Sequence, residues 1–213
     1  EFADRIATLP LADQPAVRWN YSHSTDVLGR VVEVASGQTL FQFEKQRLFD
    51  PLGMSDTAYY VADESKWSRI AQAFPVDRFR VAGMRDPALP RRWESGGAGL
   101  VSTARDYARF ANMLLNGGAL DGVRLLSPKT VELMTTDQLG GLRFRPGQGF
   151  GLGFDVRTGG GAGTLGSIGE FSWGGLGGTY FWIDPKEELV AVWMAQGPGQ
   201  REYYRRVFKS LVL

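Results

Sequence analysis

The sequence predicts an α+β fold, with helices and loops over about residues 1–140 and an antiparallel sheet with a closing helix over 141–213. Apolar residues recur at helical spacing in several segments of the first part. From Gly149 onward they alternate with a period of two, which is typical of strands with one buried face. Because neighbouring strand-like runs are joined by short links, antiparallel pairing is expected within a single unit.

The first helices are predicted from apolar spacing and end signals. Residues 1–6 resemble the middle of an amphipathic helix. A helix after residue 23 is expected to have Ser24 or Thr25 as its cap and Gly37 as its left-handed terminator. Its apolar residues are Val27, Leu28, Val31, Val32 and Ala35. Thr39 opens a second helix that should end before Asp50-Pro51, since proline disfavours helix in the residue before it.

Residues 51–98 show no sustained periodicity, so long loops with short strands or turns are expected there. The clearest helix follows at 102–115, where Thr103 and Asp106 form a capping pair. Its apolar face consists of Tyr107, Phe110, Ala111 and Leu114. Ser127-Pro128 starts a further short helix, with serine as the cap and proline at the first helical position.

Three strand-like runs are expected in the second part, at 150–156, 171–183 and 189–194. The turn between the last two runs is assigned to the Asp-Pro-Lys-Glu segment at 184–187. A closing helix at about 200–212 places Tyr203, Val207 and Leu211 on one side.

Composition limits the classes of function. A net charge of +1 provides no strong field to recruit nucleic acid or an anionic membrane. The arginine clusters are expected to form solvated faces; they are Arg78, Arg80, Arg85, Arg91 and Arg92, and Arg201, Arg205 and Arg206. The lack of cysteine excludes disulfides and thiol catalysis, and with a single histidine it makes a zinc site improbable. No apolar run approaches the ~20 residues needed to cross a bilayer. Neither nucleic acid nor a membrane is therefore expected as a partner.

A glycine-rich stretch from Gly161 to Gly166 matches the dinucleotide-binding pattern G-x-G-x-x-G. That pattern requires a following helix, because the pyrophosphate binds at a helix N-terminus. A strand-like run follows here, so we interpret the stretch as a flexible hairpin connection. No cofactor is expected.

Two short motifs indicate chemistry when they are considered with their flanks. Tyr21-Ser22-His23 precedes a helix and Trp173-Gly174-Gly175 stands on a late strand; a lone tyrosine or tryptophan would more often serve packing. Together they resemble the second and third active-site motifs of the serine β-lactamase and penicillin-binding protein superfamily, and specifically of its esterase branch, the family VIII carboxylesterases. The resemblance covers essentially the whole chain and is carried by residues 19–22, 27–29, 51–57, 96–110, 171–175 and 181–185.

The resemblance implies a β-lactamase/transpeptidase-like fold, with an antiparallel sheet flanked by helices and part of a helical domain. In this family the nucleophile belongs to a Ser-x-x-Lys motif upstream of the tyrosine, and no serine in this sequence is followed three residues later by lysine. We therefore expect the chain to be the C-terminal portion of a catalytic unit and to be inactive alone. The missing segment, from the same protein or a second chain, should cover an exposed sheet edge and apolar surface.

The resemblance also implies roles for the site residues. Tyr21 would help to activate the serine, which requires a nearby cation because a free phenol has a pKa near ~10. Trp173 stands where β-lactamases usually carry the lysine of Lys-Thr-Gly, and an uncharged indole favours neutral esters over carboxylated β-lactams. Gly174 and Gly175 let the backbone approach the substrate closely. The Leu176 N–H would be one oxyanion donor, and the serine's own N–H the other.

His23 occupies a position where β-lactamases usually have asparagine. Two interpretations stay open: the imidazole donates a hydrogen bond to substrate, or it caps the local backbone.

The resemblance therefore implies a serine carboxylesterase. Its substrates would be small-molecule esters with short chains, cleaved through an acyl-enzyme. One alternative is a β-lactamase or D-amino peptidase of the same superfamily. The other is a non-catalytic binding module that lacks the nucleophile.

Overall fold

Helices dominate the chain up to residue 134. The computed structural model describes residues 2–75, 86–142, 144–160 and 165–213. Its helices are α1 (Phe2–Ile6), α2 (Ser24–Ser36), α3 (Leu40–Glu44), α4 (Asp50–Leu52), α5 (Ala104–Leu115), α6 (Pro128–Met134) and α7 (Arg201–Val212). A 3-10 helix at Glu64–Arg69 and a small hairpin of β1 (Ala119–Leu120) and β2 (Val123–Arg124) lie between them.

A five-stranded antiparallel sheet occupies the second part of the chain. Its strands are β3 (Gln148–Phe150), β4 (Asp155–Arg157), β5 (Phe171–Gly174), β6 (Tyr180–Asp184) and β7 (Leu189–Trp193), and each pairs with the next in sequence. The predicted α+β class with an antiparallel sheet is thus confirmed.

The sheet lies between α5 and α7, because alternate side chains of β6 point to opposite faces. Phe181 contacts Tyr107 of α5, with ring centroids 5.0 Å apart, whereas the next residue, Trp182, contacts Phe208 of α7 at 5.4 Å. The main core forms on the α5 face and consists of Phe49, Leu52, Met54, Ala111, Met113, Leu114, Val131, Phe154, Val156, Phe171, Phe181 and Ile183.

Two of the predicted strands are hairpins. The run at 150–156 splits where the Gly151 N–H donates to the Phe154 carbonyl at 2.8 Å, and the run at 171–183 splits at residues 175–179. Leu152, which we counted in the alternating pattern, is 51% exposed in the first turn. Periodicity alone missed both turns because each contains one leucine between glycines, Leu152 or Leu176, which extends the apolar pattern across the turn.

The ends of α2 agree in part with prediction. Gly37 ends the helix with φ at +71°, the left-handed conformation that glycine tolerates best, as predicted. The N-cap position belongs to His23, not to Ser24 or Thr25, and no side chain caps the helix there.

The second helix continues past the predicted end at Pro51. A π-helical turn at Lys45–Phe49 connects α3 to α4, and Asp50 keeps a right-handed helical conformation. Pro51 lies in the first turn of α4, where its missing N–H costs nothing, so the proline begins a new helical turn and does not end the old one. The Thr39 start is confirmed by a complete capping box with Gln42.

The predicted starts of α5 and α6 are confirmed. The Thr103 hydroxyl accepts a hydrogen bond from the Asp106 N–H, and the Ser127 hydroxyl accepts one from the Thr130 N–H. The turn at 184–187 is also confirmed, since the buried Asp184 carboxylate accepts the N–H groups of Lys186 and Glu187.

The closing helix α7 turns a different side to the sheet than its apolar spacing suggested. Tyr203 and Leu211 are exposed, at 57% and 80%, whereas Tyr204 and Phe208 contact Trp193. Arg205 was expected on a solvated face, but its side chain is only 15% exposed. Aromatic residues on β6 and β7 decide this orientation, because they offer partners that the helix sequence alone does not reveal.

Some predictions concern residues outside the described ranges. They are the solvated cluster around Arg78, Arg80 and Arg85, and most of the glycine-rich stretch at 161–166. The described residues on either side of that stretch belong to β4 and β5, which pair antiparallel. Among the described residues, no helix has both the length and the apolar character needed to cross a bilayer.

Candidate active site

The two predicted motifs meet at the end of the sheet. Tyr21 lies in the loop that precedes α2, and Trp173 is the third residue of β5. Their ring centroids are 5.3 Å apart, with an angle of 52° between the planes. The fold therefore joins a tyrosine and a tryptophan that are far apart in sequence.

Three further aromatic residues extend this contact. Trp19 lies 6.0 Å from Tyr21 and 5.0 Å from Phe150, and Phe150 lies 5.1 Å from Trp173. Phe144 completes the group at 4.6 Å from Trp19. We call these five residues the aromatic wall. The sequence placed Trp19 beside the tyrosine motif, but no signal connected Phe144 or Phe150 with the site.

Tyr21 is the most exposed member of the aromatic wall, at 63%, whereas the other four are half-buried. Within the described part of the chain, no hydrogen bond is formed by its hydroxyl. The ring contacts both Trp173 and Trp19, yet most of the side chain stays exposed, which leaves the phenol available to a reactant.

His23 pairs with an aspartate and not with the backbone. Its Nδ1 lies 2.8 Å from Oδ2 of Asp26, and its ring meets the edge of Phe2 at 5.5 Å between centroids. The capping interpretation is therefore wrong, since no side-chain cap is formed. With Nδ1–H donating to the carboxylate, a neutral imidazole would keep Nε2 as an acceptor; a contact with substrate stays a prediction.

Asp26 is a buried carboxylate that the sequence gave no reason to single out. Its Oδ1 accepts the Ser95 hydroxyl and, at 3.0 Å, the Gly97 N–H, so it connects the first turn of α2 to the glycine-rich segment before α5. Burial favours the neutral acid, but the hydrogen bonds from Ser95, His23 and Gly97 together lower the pKa of Asp26 below its ordinary value.

The glycine-rich turn after Trp173 forms the other border of the site. The Gly175 N–H donates to the Thr179 carbonyl at 3.0 Å, and the Gly178 N–H donates to the Gly175 carbonyl at 3.2 Å. Leu176 projects from this turn and is 66% exposed. In the part of the chain that the structure describes, the Leu176 N–H has no acceptor. Its role as an oxyanion donor stays a prediction.

Two further features can be compared with this site: possible metal ligands and surface cavities among the described residues. No group of histidine, aspartate and glutamate among them could hold a metal ion. A surface cavity of about 480 Å³ is lined by Phe43, Gln46, Arg47, Pro51, Arg124 and Leu125, none of which belongs to the two motifs.

Comparison with known proteins identifies the family. A family model described as Beta-lactamase matches residues 1–212. The chain is 39% identical over 208 residues to Protein Rv1367c of Mycobacterium tuberculosis, covering 90% of this chain and 52% of that protein. It is 35% identical over 216 residues to the lovastatin esterase of Penicillium rubens, covering 89% and 53%. The chain thus spans about half the length of these relatives.

A solved structure shows the same fold at lower identity. EstCE1, described as a hydrolase with promiscuous acyltransferase activity, superposes with a TM-score of 0.76 and 23% identity, over 97% of this chain and 59% of that one. The fold is therefore β-lactamase-like, with an antiparallel sheet and flanking helices. By the match along nearly its whole length, the chain belongs to the β-lactamase family.

Proposed function

We propose that this chain is the C-terminal part of a serine carboxylesterase of the family VIII type, which cleaves short-chain esters through an acyl-enzyme. The contact between Tyr21 and the uncharged Trp173 carries the proposal. It combines a phenol able to move a proton with a neutral apolar surface in the position where a β-lactamase would place a cation.

The electrostatics of the wall support an uncharged substrate. None of the five members of the aromatic wall carries a cationic group. Arg145 lies 4.8 Å above the Phe144 ring, but its guanidinium faces Asp155 at 3.4 Å, so its charge is already partnered. A carboxylated β-lactam would lose hydration here without gaining a free cation, whereas an ester with a small apolar acyl group would lose little.

The proposed reaction requires a serine from a segment outside this chain. As the serine oxygen attacks the ester carbonyl, its proton passes to the Tyr21 phenolate, which the cationic motif lysine stabilises, and the oxyanion accepts a hydrogen bond from the Leu176 N–H. Collapse breaks the ester C–O bond, the alcohol leaves with a proton, and water then releases the acid by the same steps. In this scheme Gly174 and Gly175 keep the strand close to the substrate, and His23 borders the entrance.

The missing segment is also part of the proposal. Leu28, Val31 and Val34 leave an apolar stripe of α2 exposed, at 57%, 55% and 68%. Among the described strands of the five-stranded sheet, β3 and β7 each pair on one side only. We propose that the segment with the Ser-x-x-Lys motif covers these surfaces, as an intact catalytic unit would require.

The test uses the whole protein with p-nitrophenyl butyrate as substrate. Tyr21→Phe should lower kcat by about 100-fold or more, because a proton-transfer group is lost while the ring contact with Trp173 is kept. Tyr203→Phe is the matched control, since the same hydroxyl is removed from an exposed site on α7.

Three results would count against the proposal. Unchanged turnover in Tyr21→Phe would remove the role of the tyrosine. Faster hydrolysis of a cephalosporin than of simple esters would favour the β-lactamase alternative. No turnover of any acyl substrate by the whole protein would favour a binding module.

A further inference from the structure

Arg205 of α7 holds the turn that follows the tryptophan motif. Its Nη2 donates to the Gly175 carbonyl at 2.6 Å and to the Thr179 carbonyl at 2.9 Å. The side chain is only 15% exposed, and its guanidinium lies 5.5 Å from the centre of the Tyr180 ring. Charge-assisted hydrogen bonds of this kind are stronger than neutral ones, so the turn is held at both of its ends.

Gly174 provides the space that this guanidinium occupies. A Cβ atom added at Gly174 would lie 2.5 Å from both Cζ and Nη2 of Arg205, far closer than atoms can approach. Any side chain at this position would displace the arginine. The glycine of the strand motif therefore has a specific task in this chain, which is to admit Arg205 against the backbone.

The contact fixes the direction of one peptide group. The Gly175 carbonyl and the Leu176 N–H belong to the same planar unit, and the described chain contains no cis peptide bond. In a trans peptide the two groups point in opposite directions, so donors on the carbonyl side orient the N–H away from α7. The positive guanidinium also polarises the amide and strengthens its N–H as a donor.

We infer that Arg205 is a positioning residue, which orients and polarises the Gly175–Leu176 peptide so that the Leu176 N–H can bind an oxyanion. The inference deepens the proposed function and rests on it for the role of Leu176. Arg205 acts through the peptide and does not touch the substrate itself.

Kinetics of the whole protein provide the first test. Arg205→Met removes the charged guanidinium and its hydrogen bonds but keeps an unbranched side chain of similar length. It should lower kcat and kcat/KM together by about tenfold or more, with KM little changed. Arg205→Lys keeps a positive charge but loses the planar guanidinium, whose Nη2 donates to both carbonyls while its Nη1 donates to Glu202, so its loss should be intermediate. Arg206→Met, the same substitution at the next and exposed position, is the control.

A second measurement reports on the peptide without any catalysis. Labelling with ¹³C-carbonyl glycine and ¹⁵N-leucine selects only Gly–Leu peptide units in a carbonyl-to-amide NMR experiment; within this chain they lie at 99–100, 141–142, 151–152 and 175–176. Leu176→Ile identifies the signal of interest. Arg205→Met should move its ¹³C and ¹⁵N frequencies upfield, because the carbonyl loses its charged donor, whereas Arg206→Met should leave them in place.

The two measurements separate the inference from the proposed function. If Tyr21→Phe inactivates the enzyme but Arg205→Met changes neither kcat nor the NMR signal, the inference is overturned and the proposed function stands. If the whole protein cleaves no ester, the proposed function fails, and the NMR shift still decides whether Arg205 orients the peptide. A fall in kcat together with a raised KM and an unmoved signal would show a general structural role and contradict the inference.

Discussion

Asp26 connects two parts of the site through a single carboxylate. It receives hydrogen bonds from His23, which immediately precedes α2, and from Ser95 and Gly97 on the glycine-rich segment before α5. Because the carboxylate is buried and ionised, removing its charge should leave these donors poorly satisfied.

We predict that Asp26→Asn destabilises the whole protein at neutral pH by about 1–3 kcal/mol. The asparagine NH2 group would replace one of the two accepting oxygens, so at least one donor would lose its acceptor. The folded-state pKa of Asp26 is lowered, so its contribution is present above the unfolded pKa of about 4 and is lost as pH falls through the folded value. Urea unfolding at neutral and acidic pH measures this. The stability difference between wild type and variant should shrink in acid; a constant difference would contradict the account.

Single residues of the site were predictable to different degrees. Tyr21 and Trp173 stand in short motifs whose flanks are intact, so sequence alone selected them. Phe144, Phe150 and Arg205 reach the site by tertiary packing, and their own neighbours in sequence contain no sign of it. His23 shows the limit of a local pattern, because neither of its two open interpretations included its partner Asp26, which lies in the first turn of α2.

At the level of elements, the end of α3 carries a half-buried carboxyl group, that of Glu44. Burial raises the pKa of Glu44 from its ordinary value of 4.5 to about 7; the Tyr59 hydroxyl opposes this effect and the Glu94 carboxylate adds to it. Glu94 also accepts the Phe41 N–H at 2.7 Å, which keeps a second negative charge near the first turn of α3. Ionised Glu44 is therefore unfavourable in the folded protein.

The raised pKa of Glu44 predicts that the folded protein loses stability as the pH rises from about 4.5 to about 7. In this window the folded state binds more protons than the unfolded state. Glu44→Gln should remove this dependence and be more stable than wild type by roughly 1 kcal/mol at pH 8, with little difference at pH 4.5. Thermal unfolding across this range, with Glu132→Gln as a surface control, measures the effect. A variant less stable than wild type at pH 8 would contradict the assignment.

Elements with strong end signals were the most predictable. Hydroxyl caps at Thr39, Thr103 and Ser127 fixed three helix starts, because each satisfies an N–H that the helix leaves unpaired. Tertiary context decided the rest. Pro51 begins a helical turn because a π-helical segment precedes it, and α7 turns Tyr204 and Phe208 inward because Trp193 is there to receive them.

At the scale of the whole molecule, we propose that this chain contributes two of the three motifs of an acyl-transfer site, those of Tyr21 and Trp173. The fold class and the order of helices and strands were predictable, since both follow from local spacing and from the resemblance. The sequence predicted that some apolar surface would be exposed but not where it lies. The exposure of Leu28 and Val31 depends on how α2 packs, which its own sequence does not determine. The proposed serine would join Tyr21, Trp173 and the turn at Leu176 in one site.

Covalent labelling tests this central claim most directly. The whole protein is treated with a fluorophosphonate, which bonds its phosphorus to an activated serine oxygen as fluoride leaves, and the labelled peptide is identified by mass spectrometry. We predict one labelled serine, within a Ser-x-x-Lys motif outside residues 1–213, and no label on the isolated 213-residue chain. Label on a serine within residues 1–213, or an ester-cleaving protein whose labelled serine belongs to no such motif, would contradict the account.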